Sequence, residues 1–460
     1  MTLAAQRAGP MLTIAGWNAV SRATGFLRVL SVTAVLGATF LGNAYQQANL
    51  VSTVLFEVLA AGLLSVPLVP ALVARPEAAA RTVSALWGLS LAVLGGLALL
   101  LGLLGAPLMR LLTSAAPAAE AELQVAFGSF LLWFFAPQLL LYAAGALATA
   151  WLHARRRFAA ASAAPVANNL VVVATMAVFL AVEKGDTGLP VSTGGRIVLG
   201  VGTTLGVAAM AALPLLAVGR DGFPLRPRRW WGDAAISAVA REGVWAGALL
   251  GAQQIVLGAS LIVANRIEGG VVASQLAYAF FLLPQALLAH PVYTAALPVL
   301  SASVAEGRPD TFRHEFLRSG KRLVLLLVPA SLLLLLGARP LLGLVRVGAF
   351  DRAGVSLAAG GLRAYTLGLM GFGAYMLVCR AWAAQGRTRV PGLVSLAAAG
   401  AGVVALFVAT PLVPAARVVV MVGLTHSLIF TTAAVILILL LLRSTPQPRQ
   451  QAARQRAAEQ

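Results

Sequence analysis

The chain has 460 residues, 60% hydrophobic and 11% charged, with a mean hydropathy of +0.88. Soluble domains carry about 25% charged residues, so this composition excludes a soluble enzyme and leaves lipid as the solvent over most of the surface. The net charge of +19, from 34 Lys and Arg against 15 Asp and Glu, would suggest nucleic acid in a soluble protein. Here basic loops that orient a membrane protein account for it, and no nucleic-acid partner is expected.

Twelve stretches are long enough to cross a bilayer, which takes about 20 mainly apolar residues. In chain order they are 11–36, 45–73, 82–105, 123–150, 159–182, 195–219, 239–264, 271–299, 321–338, 355–382, 391–414 and 418–442. Lipid offers a backbone no hydrogen-bond partner, so each span is expected to be helical; the alternation of a membrane barrel is absent. The first ten residues run into a full-length apolar stretch rather than a cleavage site, so no signal peptide is read there. With twelve crossings both termini share a side. The termini and the loops near 74–81, 151–158, 220–241, 301–322 and 383–390 hold 22 Lys and Arg, and the opposite loops hold eight. That bias puts both termini in the cytoplasm of a multi-pass inner-membrane protein.

Two parallel six-helix halves are expected, 1–219 and 241–443, joined by the basic loop 220–240. Trp151 is followed by Arg155, Arg156 and Arg157, and Trp382 by Arg387 and Arg389, at a repeat offset of 231. LVPAL at 68–72 and ALPVL at 296–300 repeat at an offset near 228. Halves with the same orientation are related by an axis along the membrane normal, as in several transporter folds. The 301–322 loop reads as a short amphipathic segment. The tail 444–460 is basic and polar, with the composition of a disordered segment near an anionic leaflet.

Catalytic signatures are nearly missing. There is no Walker A sequence, the four histidines lack metal-ligand spacing, and the one cysteine, Cys379, cannot form an internal disulfide. The chain therefore reads as a non-enzyme without cofactor or metal. What stands out is charge at bilayer depth. SRATGFLR places Arg22 and Arg28 near the middle of the first span, roughly 9 Å apart along the axis and about 120° apart around it. Gly25 between them would permit a kink. Such groups require a wet cavity or a partner. Glu57, in LFEVLAAG, is the one deep carboxylate of the first half: it either neutralises an arginine, titrates in ion coupling, or ties two helices together. Asn168, Asn169, Gln253 and Gln254 suit interhelical hydrogen bonds more than ligand contacts. His290 precedes a proline and suits capping of a freed backbone group, while Arg363 and Arg380 sit near opposite ends of the tenth span, where both can snorkel.

Several stretches together resemble the MurJ/MviN-type lipid II flippases of the MOP exporter superfamily. They are SRATGFLRVLSVTAVLGAT (21–39), GNAYQQAN (42–49), FEVLAAGLLSVPLVPALV (56–73), QLLLYAAGALATAWLHARRRFAAASAAPVANN (138–169), LGVGTTLGVAAMA (199–211), ALPVLS (296–301), GAFDRAG (348–354) and LRAYTLGLMGF (362–372). FEVLAAG followed by SVPLVP is most similar to the actinobacterial branch. The resemblance implies an all-α, V-shaped pair of six-helix bundles around a cationic cavity. Its implied cargo is an undecaprenyl-pyrophosphate-linked cell-wall precursor, moved from the inner to the outer leaflet by alternating access. Membrane lipids and cell-wall synthesis proteins are the partners it suggests. The resemblance carries over Arg22 and Arg28, with forked arginine bonds to the pyrophosphate, and Glu57, Asn43 and Gln254 complete the candidate substrate contacts. The chain departs from the family pattern in having Asn43 where an acid is common, Phe56 and Glu57 where arginines are common, and Ala279 for an arginine on the eighth helix. It also has twelve spans where well-known members have fourteen. Two other functions fit the sequence: a polysaccharide-precursor or drug exporter of the same superfamily, and a non-transporting cell-wall scaffold.

Overall fold

The computed structural model describes residues 3–57, 68–74, 76–185, 188–219, 222–224, 226–231 and 234–443, and no strand occurs among them. The chain divides into two compact units. The first is Met1–Leu250 together with Asn265–Val272 and Val345–Asp351; the second is Gly251–Ala264, Ala273–Leu344 and the residues from Arg352 onward.

The first unit holds α1 (Leu3–Leu36), α2 (Phe40–Phe56), α3 (Leu68–Ala74), α4 (Ala79–Leu103), α5 (Gly105–Leu112), α6 (Ala118–Phe135), α7 (Gln138–Ala154), α8 (Ala159–Val182) and α9 (Thr193–Val218), and α10 (Ala234–Ala264) begins in it. Caps mark two of the starts. The Thr39 hydroxyl accepts the Gly42 N–H at 3.1 Å, and Ser192 accepts that of Gly195 at 3.0 Å. α8 packs along both α9 and α1, and small residues bring the axes together. A Cβ at Gly202 would lie 2.3 Å from Thr175, and one at Gly206 would lie 2.5 Å from Asn168. α1 runs without a break from Leu3 to Leu36 past Gly25. A Cβ there would touch the Asn169 amide at 3.4 Å, and the glycine serves close approach of α8. Asn169 donates to Ser21 O and Thr24 Oγ1 on α1 at 3.3 and 3.1 Å, the interhelical role read from the sequence.

The second unit contains the end of α10 and most of α11 (Gly270–Pro284), a π turn over Gln285–Ala289, then α12 (His290–Ala305), α13 (Pro309–Gly343), α14 (Arg352–Leu367), α15 (Leu369–Ala384), α16 (Arg389–Ala409) and α17 (Val418–Arg443). α17 packs against α14, α15 and α16. Its His426 is enclosed by the rings of Tyr278, Phe281, Tyr365, Phe372 and Phe430, with centroids 4.6–5.6 Å away. α14 and α15 meet at a 48° bend.

Among the described residues, ten helices are long and apolar enough to cross a membrane, eleven with the bent α14–α15 pair taken as one span. The remaining expected span, 45–73, includes 58–67 and so lies partly outside the described residues, as does the tail 444–460. The amphipathic segment expected as a loop at 301–322 takes in the end of α12, the connection 306–308 and the start of α13. α13 starts at Pro309, buries Phe312, Phe316 and Ser319 on one face, and continues the same stripe through Leu323 and Leu327. The basic connection also ends earlier than expected, since α10 starts at Ala234. Arg228 N–H donates to Ser84 O at 3.0 Å, and a Cβ at Gly88 would strike Arg228 O at 2.2 Å. The connection thus lies directly on α4.

Candidate functional site

α1 carries both membrane-depth arginines. Arg22 is exposed and Arg28 half-buried, the outcome expected of two positions about 120° apart on a straight helix. Arg28 lies within electrostatic range of two phenols, Tyr45 of α2 and Tyr142 of α7. Tyr45 is buried, with its hydroxyl 2.9 Å from Thr203 Oγ1 of α9. Tyr142 hydrogen-bonds Thr53 of α2 and lies within electrostatic range of Glu57, one turn further on. One guanidinium, two phenols, two hydroxyls and one carboxylate from four helices of a single unit therefore share a polar neighbourhood. Among the described residues neither Arg22 nor Arg28 forms an ion pair, so a tight Arg28–Glu57 bridge is not the arrangement here.

Tyr142 also lines a cavity of about 450 Å³ between α3, α7, α8 and α9. Gly145, Ala146, Ala164, Ala211 and Pro214 give it a mostly apolar wall of small residues. The polar cluster thus borders a space suited to hydrocarbon.

Asn43 has a different task from the ligand contact expected of it. It is fully buried; its Nδ2 donates to Asn265 Oδ1 (2.8 Å) and Ile267 O (3.1 Å), and its Oδ1 accepts from Val271 N (3.1 Å) and Val272 N (3.4 Å). Asn265 in turn donates to Gln47 and Gln124 at 3.3 and 2.9 Å, and Gln47 donates to Leu112 O at 2.8 Å. With both donors and both acceptor positions in use, Asn43 has nothing left for a substrate. This amide network holds 265–272 against the start of α2. Close by, Ala349 N–H donates to Ala34 O at 2.7 Å, and Gly37 at φ +65° leaves room for Ala349. Gln254 belongs to the second unit, half-buried on α10.

The sequence reading passed over Tyr45, Tyr142 and a third tyrosine. In the second unit Arg380 is half-buried and within electrostatic range of Tyr293. The Tyr293 hydroxyl donates to Gln285 Oε1 at 2.7 Å, and Gln285 Nε2 donates to Leu369 O at 2.8 Å. Each unit therefore sets one arginine beside tyrosine. The available signal was a phenol in an apolar helix, whose hydroxyl must find a partner when buried. Arg363 instead donates to Leu335 O at 3.2 Å. His290 opens α12, and the Thr294 hydroxyl donates to its carbonyl at 2.9 Å. Among the described residues no three His, Cys, Asp or Glu side chains group as metal ligands.

Residues 32–459 match the family model described as "Lipid II flippase MurJ". A probable lipid II flippase MurJ of Vibrio cholerae is 26% identical over 400 residues, covering 83% of this chain and 73% of its own length. Among solved structures, a lipid II flippase MurJ in an inward closed conformation superposes with TM-score 0.77 at 18% identity, covering 94% of this chain and 88% of its own. An inward-facing multidrug resistance MATE transporter of the MOP superfamily gives TM-score 0.66 at 14% identity, covering 93% of each chain. The MATE likeness shows that the fold is shared beyond flippases, and the match over most of the chain shows which branch this is: the protein is a multi-pass membrane transporter belonging to the MurJ lipid II flippase family.

Proposed function

We propose that this flippase seats the pyrophosphate of lipid II at Arg28, with Arg22 at the exposed edge of the same helix and Tyr45 and Tyr142 orienting the headgroup. The observation that carries this reading is Arg28 itself: a half-buried cation on an apolar helix, within electrostatic range of two phenols and without an ion pair among the described residues. A membrane-embedded charge is costly unless it meets water, a counter-charge or an anionic ligand. A pyrophosphate supplies several oxygens for forked, charge-assisted bonds. Glu57, electrostatically coupled to Tyr142, is placed to weaken that grip and favour release. The apolar cavity on the far side of Tyr142 would receive hydrocarbon close to the headgroup. Asn43 and Gln254 are not assigned to this site.

The basic bias of the loops supports an orientation with both termini in the cytoplasm of the inner membrane, and carriage then runs from the inner to the outer leaflet by alternating access. The test is a leaflet-exposure assay in proteoliposomes with purified lipid II. Arg28→Ala is expected to lower flipping at least tenfold while inserting normally, with Arg28→Lys retaining part of the rate. Wild-type flipping by Arg28→Ala would overturn the assignment.

A further inference from the structure

α7 and α15 end in the same turn. After α7, Arg156 N–H donates to His153 O (3.0 Å) and Arg157 N–H to Leu152 O (2.9 Å); after α15, Gly386 N–H donates to Ala383 O (2.9 Å) and Arg387 N–H to Trp382 O (3.1 Å). This paired pattern is a Schellman cap, whose penultimate residue must take a left-handed conformation. Gly386 does so at φ +71° without steric penalty, whereas Arg156 does so at φ +58° against its own Cβ. Both turns already have an arginine on a tryptophan face: Arg155 lies 3.5 Å over Trp151, and Arg387 lies 4.9 Å over Trp382. The cation–π contact therefore does not explain why the first turn carries a strained arginine where its counterpart carries glycine.

The side chain has another destination. Arg156 and Arg157 line a cavity of about 410 Å³ together with Leu152, Phe158, Ala217 and the start of α8. Arg157 is anchored there, its Nη2 donating to Ala217 O at 2.9 Å, and no side chain caps the first turn of α8. Because α7 and α8 belong to successive membrane spans joined by only four residues, the cavity opens at headgroup depth. Two guanidinium groups next to an apolar wall at that depth match a phosphate joined to hydrocarbon better than a free ion.

We propose that this cavity is a binding site for an anionic glycerophospholipid, with the headgroup phosphate on Arg156 and Arg157 and the upper acyl chain against Leu152 and Phe158. The test is native mass spectrometry of the purified full chain titrated with phosphatidylglycerol or phosphatidylcholine of matched chains. Wild type should bind phosphatidylglycerol preferentially, and Arg156→Gly should weaken that binding roughly fivefold while leaving phosphatidylcholine unchanged. Its melting temperature should not fall, because glycine is what the matching turn contains. Arg156→Lys, which keeps the charge, should retain most of the preference. Undiminished preference in Arg156→Gly would overturn the site. So would full displacement of phosphatidylglycerol by low-millimolar inorganic phosphate, which would make the cavity an ion site only.

Discussion

Asn43 and Arg28 lie fifteen positions apart in one stretch, yet the structure gives them opposite environments. Asn43 has its whole amide committed inside the protein; Arg28 has two phenols nearby and no ion pair among the described residues. Removing the Asn43 amide would orphan the Val271 and Val272 N–H groups and the Ile267 carbonyl in a buried place, where each unmet group costs about 1–3 kcal/mol. Asn43→Ala should therefore destabilise the protein by about 3 kcal/mol, read as an earlier midpoint in denaturant unfolding followed by tryptophan fluorescence. An exposed polar change such as Ser114→Ala should shift that midpoint little. Arg22, Arg28 and Glu57 were legible from sequence because a charge inside an apolar run conflicts with its solvent whatever the fold. Asn43 was misread because its partner Asn265 is 222 residues away, and no local pattern reports such a contact. Tyr142 and Tyr293 went unnoticed for a related reason: a phenol in an apolar helix is compatible with plain packing until its neighbours are known.

Helices were legible wherever solvent alone dictates them and illegible wherever a neighbour does. The apolar runs of α8, α9, α16 and α17 coincide with the expected spans to within a few residues, because lipid requires each to close its own hydrogen bonds. Breaks inside spans are different. The α14–α15 bend occurs at Gly368, where a Cβ would lie 2.5 Å from both Cα and Oγ of Ser427 on α17. The Ser427 hydroxyl is 2.8 Å from Ala364 O and 3.1 Å from Tyr365 O, so α17 satisfies carbonyls at the end of α14 and fills the space beside the glycine. Neither fact is visible in LGLMGF. Gly368→Ala must push two helix backbones apart or straighten the bend, and overpacking of this kind costs about 1–3 kcal/mol. The expected readout is a lower melting temperature for Gly368→Ala, with Gly400→Ala, whose Cβ would meet nothing within 4 Å, unchanged or raised. Equal stability of the two variants would show that the bend does not depend on the glycine.

Across the whole molecule the distribution of charge is the most general feature that the sequence carries. Here 22 of the 34 basic residues fall on one set of loops and termini and eight on the other, and basic loops resist translocation. In the structure Glu306–Arg308 lies between α12 and α13, and Thr113–Pro117 lies between the short α5 and α6. Those two connections belong to opposite sets. Single cysteines can therefore decide the orientation in a background with Cys379→Ser, which removes the one native thiol. Ala305→Cys, at an exposed position on the basic set, should resist a membrane-impermeant maleimide added to intact cells and react once the membrane is opened. Ser114→Cys, exposed on the other set, should react in both conditions. The reverse pattern would place the termini outside and invert the direction of carriage. Labelling of both sites in intact cells would mean that one of the five crossings expected between them, from 123–150 to 271–299, has been miscounted.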